Sequence, residues 1–213
     1  MTILNAWIER DRALLAVNSE ARHADSGEKF QLDKLWVLPI LNAAVAYRGC
    51  GGYFTILRAM LESLVPRSFD ELGAAMPQQM STAREKMKNH PQAWTDPTLY
   101  DANVVAVGWS TRRGRMIGFQ FEQLAVNGFT EKVLEPPAEA GAGAGYRFLA
   151  PGDLIEQLPP PRDVAAMVTC ARVQKQLIEE RYPGLASGGQ LHVATLTRGR
   201  ITIEMACDLD RDE

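Results

Sequence analysis

The sequence predicts an α+β fold, and three observations carry that reading. Apolar, β-prone segments and helical segments alternate in blocks, in the order strands, two helices, strands, one helix, strands. The strand segments are joined by short polar turns, as in antiparallel hairpins, with no regular βαβ alternation. The 213 residues are 46% hydrophobic and 23% charged, enough apolar material for one large core. No internal repeat and no second core is visible, so residues 1–213 read as a single domain.

The elements follow in order. Ile3 to Ile8 and Ala13 to Val17 are two strands around the polar turn Glu9-Arg10-Asp11-Arg12. A polar stretch, Asn18 to Gln31, carries a Ser26-Gly27 turn signal. Lys34 to Leu38 and Ile40 to Tyr47 are two further strands, broken by Pro39. After Gly49-Cys50-Gly51-Gly52, the spacing of Phe54, Leu57, Leu61 and Leu64 predicts a helix over 53–65, stopped by Pro66. A second helix spans 69–88, with Ser68 and Glu71 as a capping box and Pro77 expected to kink or divide it. His90-Pro91 ends it. Val104 to Trp109 and Met116 to Phe121 form a hairpin around Arg113-Gly114, and Asn127-Gly128 is a further turn. Pro136 to Gly145 reads as a flexible loop. Pro159-Pro160-Pro161 leads into a helix over 163–181, stopped by Pro183-Gly184. Leu191 to Leu196 and Ile201 to Met205 close the chain around Arg198-Gly199.

Composition excludes several classes. A formal charge of −3 argues against a nucleic-acid binder. The longest uncharged apolar run, Leu35 to Tyr47, is too short for a bilayer and contains Pro39 and Asn42, so no membrane partner is expected. Glu9 to Arg12 interrupt any apolar leader. Cys50, Cys170 and Cys207 are odd in number and widely spaced, which points to a reducing, cytoplasmic setting. His23, His90 and His192 are scattered, and no metal-ligand or phosphate-loop spacing occurs, so no metal or cofactor is expected. Cys50 reads most simply as a small apolar residue, Arg112, Arg113 and Arg115 as a solvated turn, and Met76, Met80 and Met87 as packing against a neighbouring layer or subunit.

Thr2 is the residue with chemistry to offer. A hydroxyl is a poor nucleophile because its proton must leave as it attacks. Removal of Met1 would free an α-amine, of ordinary pKa about 7.7–8.0, beside that hydroxyl as its base.

The surrounding landmarks fall in a telling order. Thr2-Ile3-Leu4 opens the first strand, and Ala16-Val17-Asn18-Ser19-Glu20 ends the second. Lys34 starts a short strand in Asp33-Lys34-Leu35-Trp36-Val37. Gly49-Cys50-Gly51-Gly52 enters a helix, Gly108-Trp109 precedes a turn, and Ser187-Gly188-Gly189-Gln190 leads into a penultimate strand. This pattern resembles the proteasome β-subunit and HslV peptidase family of N-terminal nucleophile hydrolases over nearly the whole chain. The resemblance implies a four-layer αββα sandwich, two antiparallel sheets between helical layers. It implies a threonine protease or amidohydrolase acting on a peptide or small amide substrate. Thr2 would be the nucleophile, Lys34 the charge that lowers its pKa, the Gly49 N–H the oxyanion donor, and Ser187 a hydrogen-bonding partner of the terminal amine. Asn18 would occupy the place of an aspartate beside the lysine, and Tyr47 would line the substrate pocket. The resemblance also implies a homo-oligomer and leaves room for an ATP-dependent unfoldase as partner.

The pattern departs from that family at three positions. Asn18 stands where an aspartate is expected, Glu20 where an arginine is, and Gly184 where a second aspartate is. With two acids missing, the lysine is expected to titrate low or turn away. The alternative reading is therefore a catalytically inactive homologue serving assembly or binding.

Overall fold

The computed structural model describes residues 2–23, 26–89, 101–124, 128–136, 144–147, 160–181, 183 and 188–211. They form a mixed α/β fold with three sheets and three helices among the described residues, and every strand pair is antiparallel. Strands β1 (Leu4–Ile8) and β2 (Arg12–Asn18) make the first hairpin, with Glu9 N–H donating to the Arg12 carbonyl at 2.7 Å. Two elements the sequence did not announce follow, β3 (Glu20–Arg22) and β4 (Lys29–Gln31), which pair as a separate ribbon.

A five-stranded sheet is built from β5 (Leu35–Leu38), β6 (Ala43–Gly49), β7 (Ala102–Ser110), β8 (Arg115–Leu124) and β9 (Gly128–Leu134), in chain order. The strand expected from Ile40 starts instead at Ala43. Pro39 has no N–H for a ladder, so Pro39–Leu41 turns as a 3-10 helix and Asn42 takes a left-handed φ of 47°. The Asn42 side chain donates to the Thr197 carbonyl at 2.9 Å.

The other five-stranded sheet contains β10 (Ala144–Arg147), β11 (Gln190–Thr197) and β12 (Arg200–Asp208), in the order β10-β1-β2-β11-β12. The expected loop over 136–145 is corrected at its end, because Ala144 and Gly145 pair with Ile8 and Trp7. Backbone pairing to an open sheet edge overrides the poor strand propensity of alanine and glycine there. Residues 137–143 of that loop lie outside the described residues, as do His90, Pro91 and Asn127.

The helices are α1 (Gly51–Leu64), α2 (Phe69–Lys88) and α3 (Val164–Arg181). Ser68 caps α2 by accepting from the Glu71 N–H at 3.1 Å, while the Glu71 carboxylate reaches one residue further back, to the Arg67 N–H at 2.8 Å. Pro77 does not divide α2, which is one element through it. Phe69, Leu72, Met76, Met80 and Ala83 bury one face on both sides of Pro77. Burial of each of the Phe, Leu and Met side chains contributes about 2 kcal/mol, which together offsets the roughly 3 kcal/mol an internal proline costs.

Three apolar clusters follow from period-2 alternation in the strands. Leu4, Ala6 and Ile8 of β1, Leu15 and Val17 of β2, and Ala194 and Leu196 of β11 meet Ala44, Ala46, Val105 and Val107 of the other sheet. The opposite faces turn to helices. Val45, Tyr47, Val104 and Phe121 pack with α1 and α2, and Trp7, Leu14 and Val193 pack with Met167 and Ala171 of α3. Met76 and Met80 are fully buried within the α1–α2 cluster, so these methionines pack against a neighbouring layer of their own chain.

Candidate active site

The site lies at one end of the first hairpin. Thr2 precedes β1, and Asn18 ends β2, so the hairpin brings the two together. Asn18 is fully buried and its amide closes two bonds: Oδ1 accepts from the Ile3 N–H at 2.8 Å, and Nδ2 donates to the Gly188 carbonyl at 2.8 Å. The Asn18 N–H also donates to the Ile3 carbonyl at 3.1 Å. An aspartate here could accept from Ile3 but could not donate to Gly188. The asparagine is thus a donor–acceptor bridge between the start of β1 and the Gly188-Gly189 turn.

Lys34 precedes β5 and is 4% exposed. Its carbonyl accepts from the Tyr47 N–H at 3.3 Å, which fixes the backbone against β6. Its Nζ donates to Thr2 Oγ1 at 3.1 Å and to the Glu20 carbonyl. The lysine has therefore not turned away, although Asn18 gives it no charge. Burial pulls its pKa from 10.5 down to about 8, and the Glu20 carboxylate works in the opposite direction. The expectation of a low-titrating lysine agrees with this direction, but the main cause is desolvation.

Glu20 carries the site's buried negative charge. It is 3% exposed, its Oε2 lies 3.0 Å from Lys29 Nζ, and its Oε1 lies 3.7 Å from Arg22 Nε. Ser19, between Asn18 and Glu20, locks the ends of three strands. Its N–H donates to the Gln190 carbonyl at 2.9 Å, its Oγ accepts from the Gln190 N–H at 2.9 Å and donates to Gln31 Oε1, and its carbonyl accepts from the Leu32 N–H at 2.8 Å.

A second carboxylate arrives from the chain end. Asp210 Oδ2 accepts from the Gly189 N–H at 2.7 Å, and Oδ1 accepts from Lys175 Nζ of α3 at 2.8 Å. Partial burial pushes its carboxyl up, but the bonds from Lys175 and Gly189 outweigh that and hold it below the usual aspartate range. Gly189 sits at φ 78°, where a side chain is strained, and a Cβ on Gly188 would overlap the Asp210 carboxylate. The Gly188-Gly189 turn is thus gripped by Asn18 on one side and Asp210 on the other. Sequence reasoning missed Asp210, since an acidic residue in Asp208-Leu209-Asp210-Arg211 reads as a solvated tail.

The remaining candidates are placed differently. Gly49 ends β6 at φ 131°, with room for no Cβ, since one would lie 2.5 Å from the Asp101 carbonyl. Cys50 caps α1 and is half-buried. Tyr47 is 2% exposed, its ring stacked on Phe54 at 3.8 Å between centroids, so it belongs to the core and not to an open surface. Burial, with charge from Cys50 and Asp33, pushes its phenol well above the usual range. Ser187, Gly184 and Met1 lie outside the described residues.

No helix among the described residues is long and apolar enough to cross a membrane. Neither protein-family models nor curated proteins match the sequence. Solved structures do match in fold. Anbu from Hyphomicrobium sp. strain MC1, as a Gly-1 mutant, aligns over 100% of this chain and 89% of its own, with a TM-score of 0.65 and 9% identity. Anbu, or ancestral β-subunit, from Yersinia bercovieri aligns over 97% of this chain and 84% of its own, with a TM-score of 0.61 and 12% identity. These neighbours correct the resemblance drawn from sequence: they are proteasome-like but form the distinct Anbu family, not the proteasome β-subunits and HslV peptidases. The landmarks Thr2, Lys34, Gly49 and Gly188-Gly189 sit at strand ends and turns that the fold itself spaces, so they mark the fold and not a family within it. At these identities the likeness shows the fold alone: this chain has the proteasome-like architecture that the Anbu structures share.

Proposed function

We propose that the protein is a threonine-type N-terminal nucleophile hydrolase that cleaves peptide or amide bonds once Met1 is removed. The observation that carries this reading is the buried Lys34 ammonium donating to Thr2 Oγ1 at 3.1 Å. A buried lysine at a strand end is costly, and this one is aimed at a threonine hydroxyl. We also propose that the three apolar clusters stack as the four-layer αββα sandwich of one domain.

The chemistry is as follows. Thr2 Oγ1 attacks the substrate carbonyl and its proton passes to the α-amine of the same residue. Protonated Lys34 favours the alkoxide that develops on Oγ1. The Gly49 N–H, which lies where β6 enters α1, serves as the oxyanion donor. Collapse of the tetrahedral intermediate breaks the C–N bond, the α-amine returns the proton to the leaving amine, and an ester on Thr2 remains. Water, deprotonated by the same amine, hydrolyses that ester and regenerates the hydroxyl.

One observation favours a second reading, an inactive homologue in assembly or binding: the Asn18 amide spends its bonds on Ile3 and Gly188 and none on Lys34. Hydrolysis of short acyl-peptide coumarin amides by mature protein separates the two. Turnover by the natural sequence and by Thr2→Ser, but not by Thr2→Ala, supports the hydrolase. Equal signals from all three would assign turnover to a contaminant and favour the second reading.

A further inference from the structure

Only two charged side chains are buried among the described residues, Glu20 at 3% and Lys34 at 4% exposure. They adjoin each other at the site, since Lys34 Nζ donates to the Glu20 carbonyl. A buried charge without a counter-charge costs several kcal/mol, and Glu20, whose backbone carbonyl holds Lys34 Nζ, is the buried residue of opposite sign beside it; its carboxylate also pairs with Lys29 and Arg22. Among the described residues beside Lys34, Asn18 is neutral, and Asp33, whose carboxylate accepts from the Leu35 N–H at 3.1 Å, is exposed and so screened by solvent.

Glu20 is also held where it is. Lys29 of β4 pins Oε2 at 3.0 Å, Arg22 of β3 lies 3.7 Å from Oε1, and Oε1 makes no hydrogen bond among the described residues. The β3–β4 ribbon pairs Glu20 with Gln31 and Arg22 with Lys29, so the ribbon is the frame that holds this carboxylate, while the Glu20 carbonyl touches Lys34.

We infer that Glu20 is a positioning residue: its buried carboxylate, framed by the β3–β4 ribbon, is the counter-charge that keeps Lys34 protonated and aimed at Thr2. The counter-charge thus comes from position 20, two residues beyond the asparagine. This inference rests on the hydrolase reading. The charged groups on the elements around Lys34 are Glu20, the Arg22 and Lys29 that pair with its carboxylate, Asp33 beside Lys34, and the Thr2 amine of the mature chain. Of these only Glu20 is both anionic and buried.

The test pairs a titration with an acylation rate. The Lys34 side chain is labelled and titrated by NMR in mature wild-type protein, Glu20→Gln and Glu20→Asp. The rate of adduct formation with a peptide epoxyketone is followed over pH 6 to 10 in the same three proteins. Glu20→Gln is expected to move the Lys34 midpoint down by about one pH unit, and the alkaline limb of the acylation profile down by the same amount. Glu20→Asp is expected to restore most of both. If Glu20→Gln does not fold, Lys29→Gln replaces it, because Lys29 is 53% exposed on its side chain. That variant leaves the carboxylate to Lys34 and is expected to move the midpoint up. An unchanged Lys34 midpoint in the variant that folds overturns the inference and leaves the hydrolase reading standing. A wild-type protein that forms no adduct at any pH overturns the hydrolase reading, and the positioning role with it, whatever the midpoint does.

Discussion

Two of the places where the chain buries polar side chains serve different ends. Between β1 and α3, the Asn5 and Gln174 amides are both fully buried and exchange two hydrogen bonds, at 2.7 and 2.8 Å. Each amide donates once and accepts once, no charge is involved, and the pair is closed. At the site end, Asn18, Ser19, Glu20 and Lys34 are also buried, but their bonds go largely to backbone. There the Lys34 ammonium donates to the Thr2 hydroxyl at 3.1 Å. A closed neutral pair fixes the register of a helix on a sheet. A charged group held open costs stability and offers chemistry. The difference supports the proposed site without reference to any relative.

Removing the charge breaks the comparison most sharply. Lys34→Met is expected to cut acylation of Thr2 by about two to three orders of magnitude. It is also expected to make the protein more stable at neutral pH. The native pKa of about 8 lies below the ordinary 10.5, so protonated Lys34 opposes folding below pH 8. Wild-type stability therefore rises between pH 8 and 10.5, by roughly 3 kcal/mol in all. Denaturant titrations across that window should show the rise in wild type and none in Lys34→Met. A variant that is less stable at pH 7 would mean that the lysine is structural.

Asn18→Asp asks whether position 18 is a lost acid or a bridge. The bridge predicts a loss of about 2 kcal/mol in urea melts, because the Gly188 carbonyl loses its donor, and no gain in acylation rate. A faster enzyme would make Asn18 an impaired acid instead. Asn5→Ala leaves the Gln174 amide unpaired and is expected to cost about 1–3 kcal/mol with the acylation pH profile unmoved. A shifted profile would couple the two polar regions. Asp210→Asn has the smallest effect expected, below about 1 kcal/mol, since Asp210 is exposed. Its stabilisation is present above the ordinary aspartate range and lost as the pH falls through the lowered native value, so the variant should flatten only the acid side of the stability curve.

Much of this was legible in the sequence, and the limits have physical causes. Both early hairpin strands, all three helices and the last hairpin declare themselves by periodicity and by turn residues such as Pro66, Ser68 and Gly199. Strand β10 does not, because Ala144 and Gly145 are recruited by an open edge and not by propensity. Pro77 misleads because tertiary burial on both sides outweighs a local penalty. Thr2 is nominated by its place after Met1 and Lys34 by the family resemblance, and the fold places Lys34 Nζ 3.1 Å from Thr2 Oγ1. Glu20 was visible only as a residue out of place, since its role depends on a ribbon too short for periodicity to reveal. Asp210 depends on a contact 21 residues away from Gly189, which no local pattern encodes. Tyr47 is given a pocket role by the family resemblance, whereas its ring lies in the α1–α2 cluster.

The most direct test of the account is the intact mass of purified protein before and after incubation with a peptide epoxyketone, with Thr2→Ala alongside. The account predicts a mass lacking one methionine and gaining a single adduct, with no adduct on Thr2→Ala. A mass that keeps Met1 and gains nothing would contradict it.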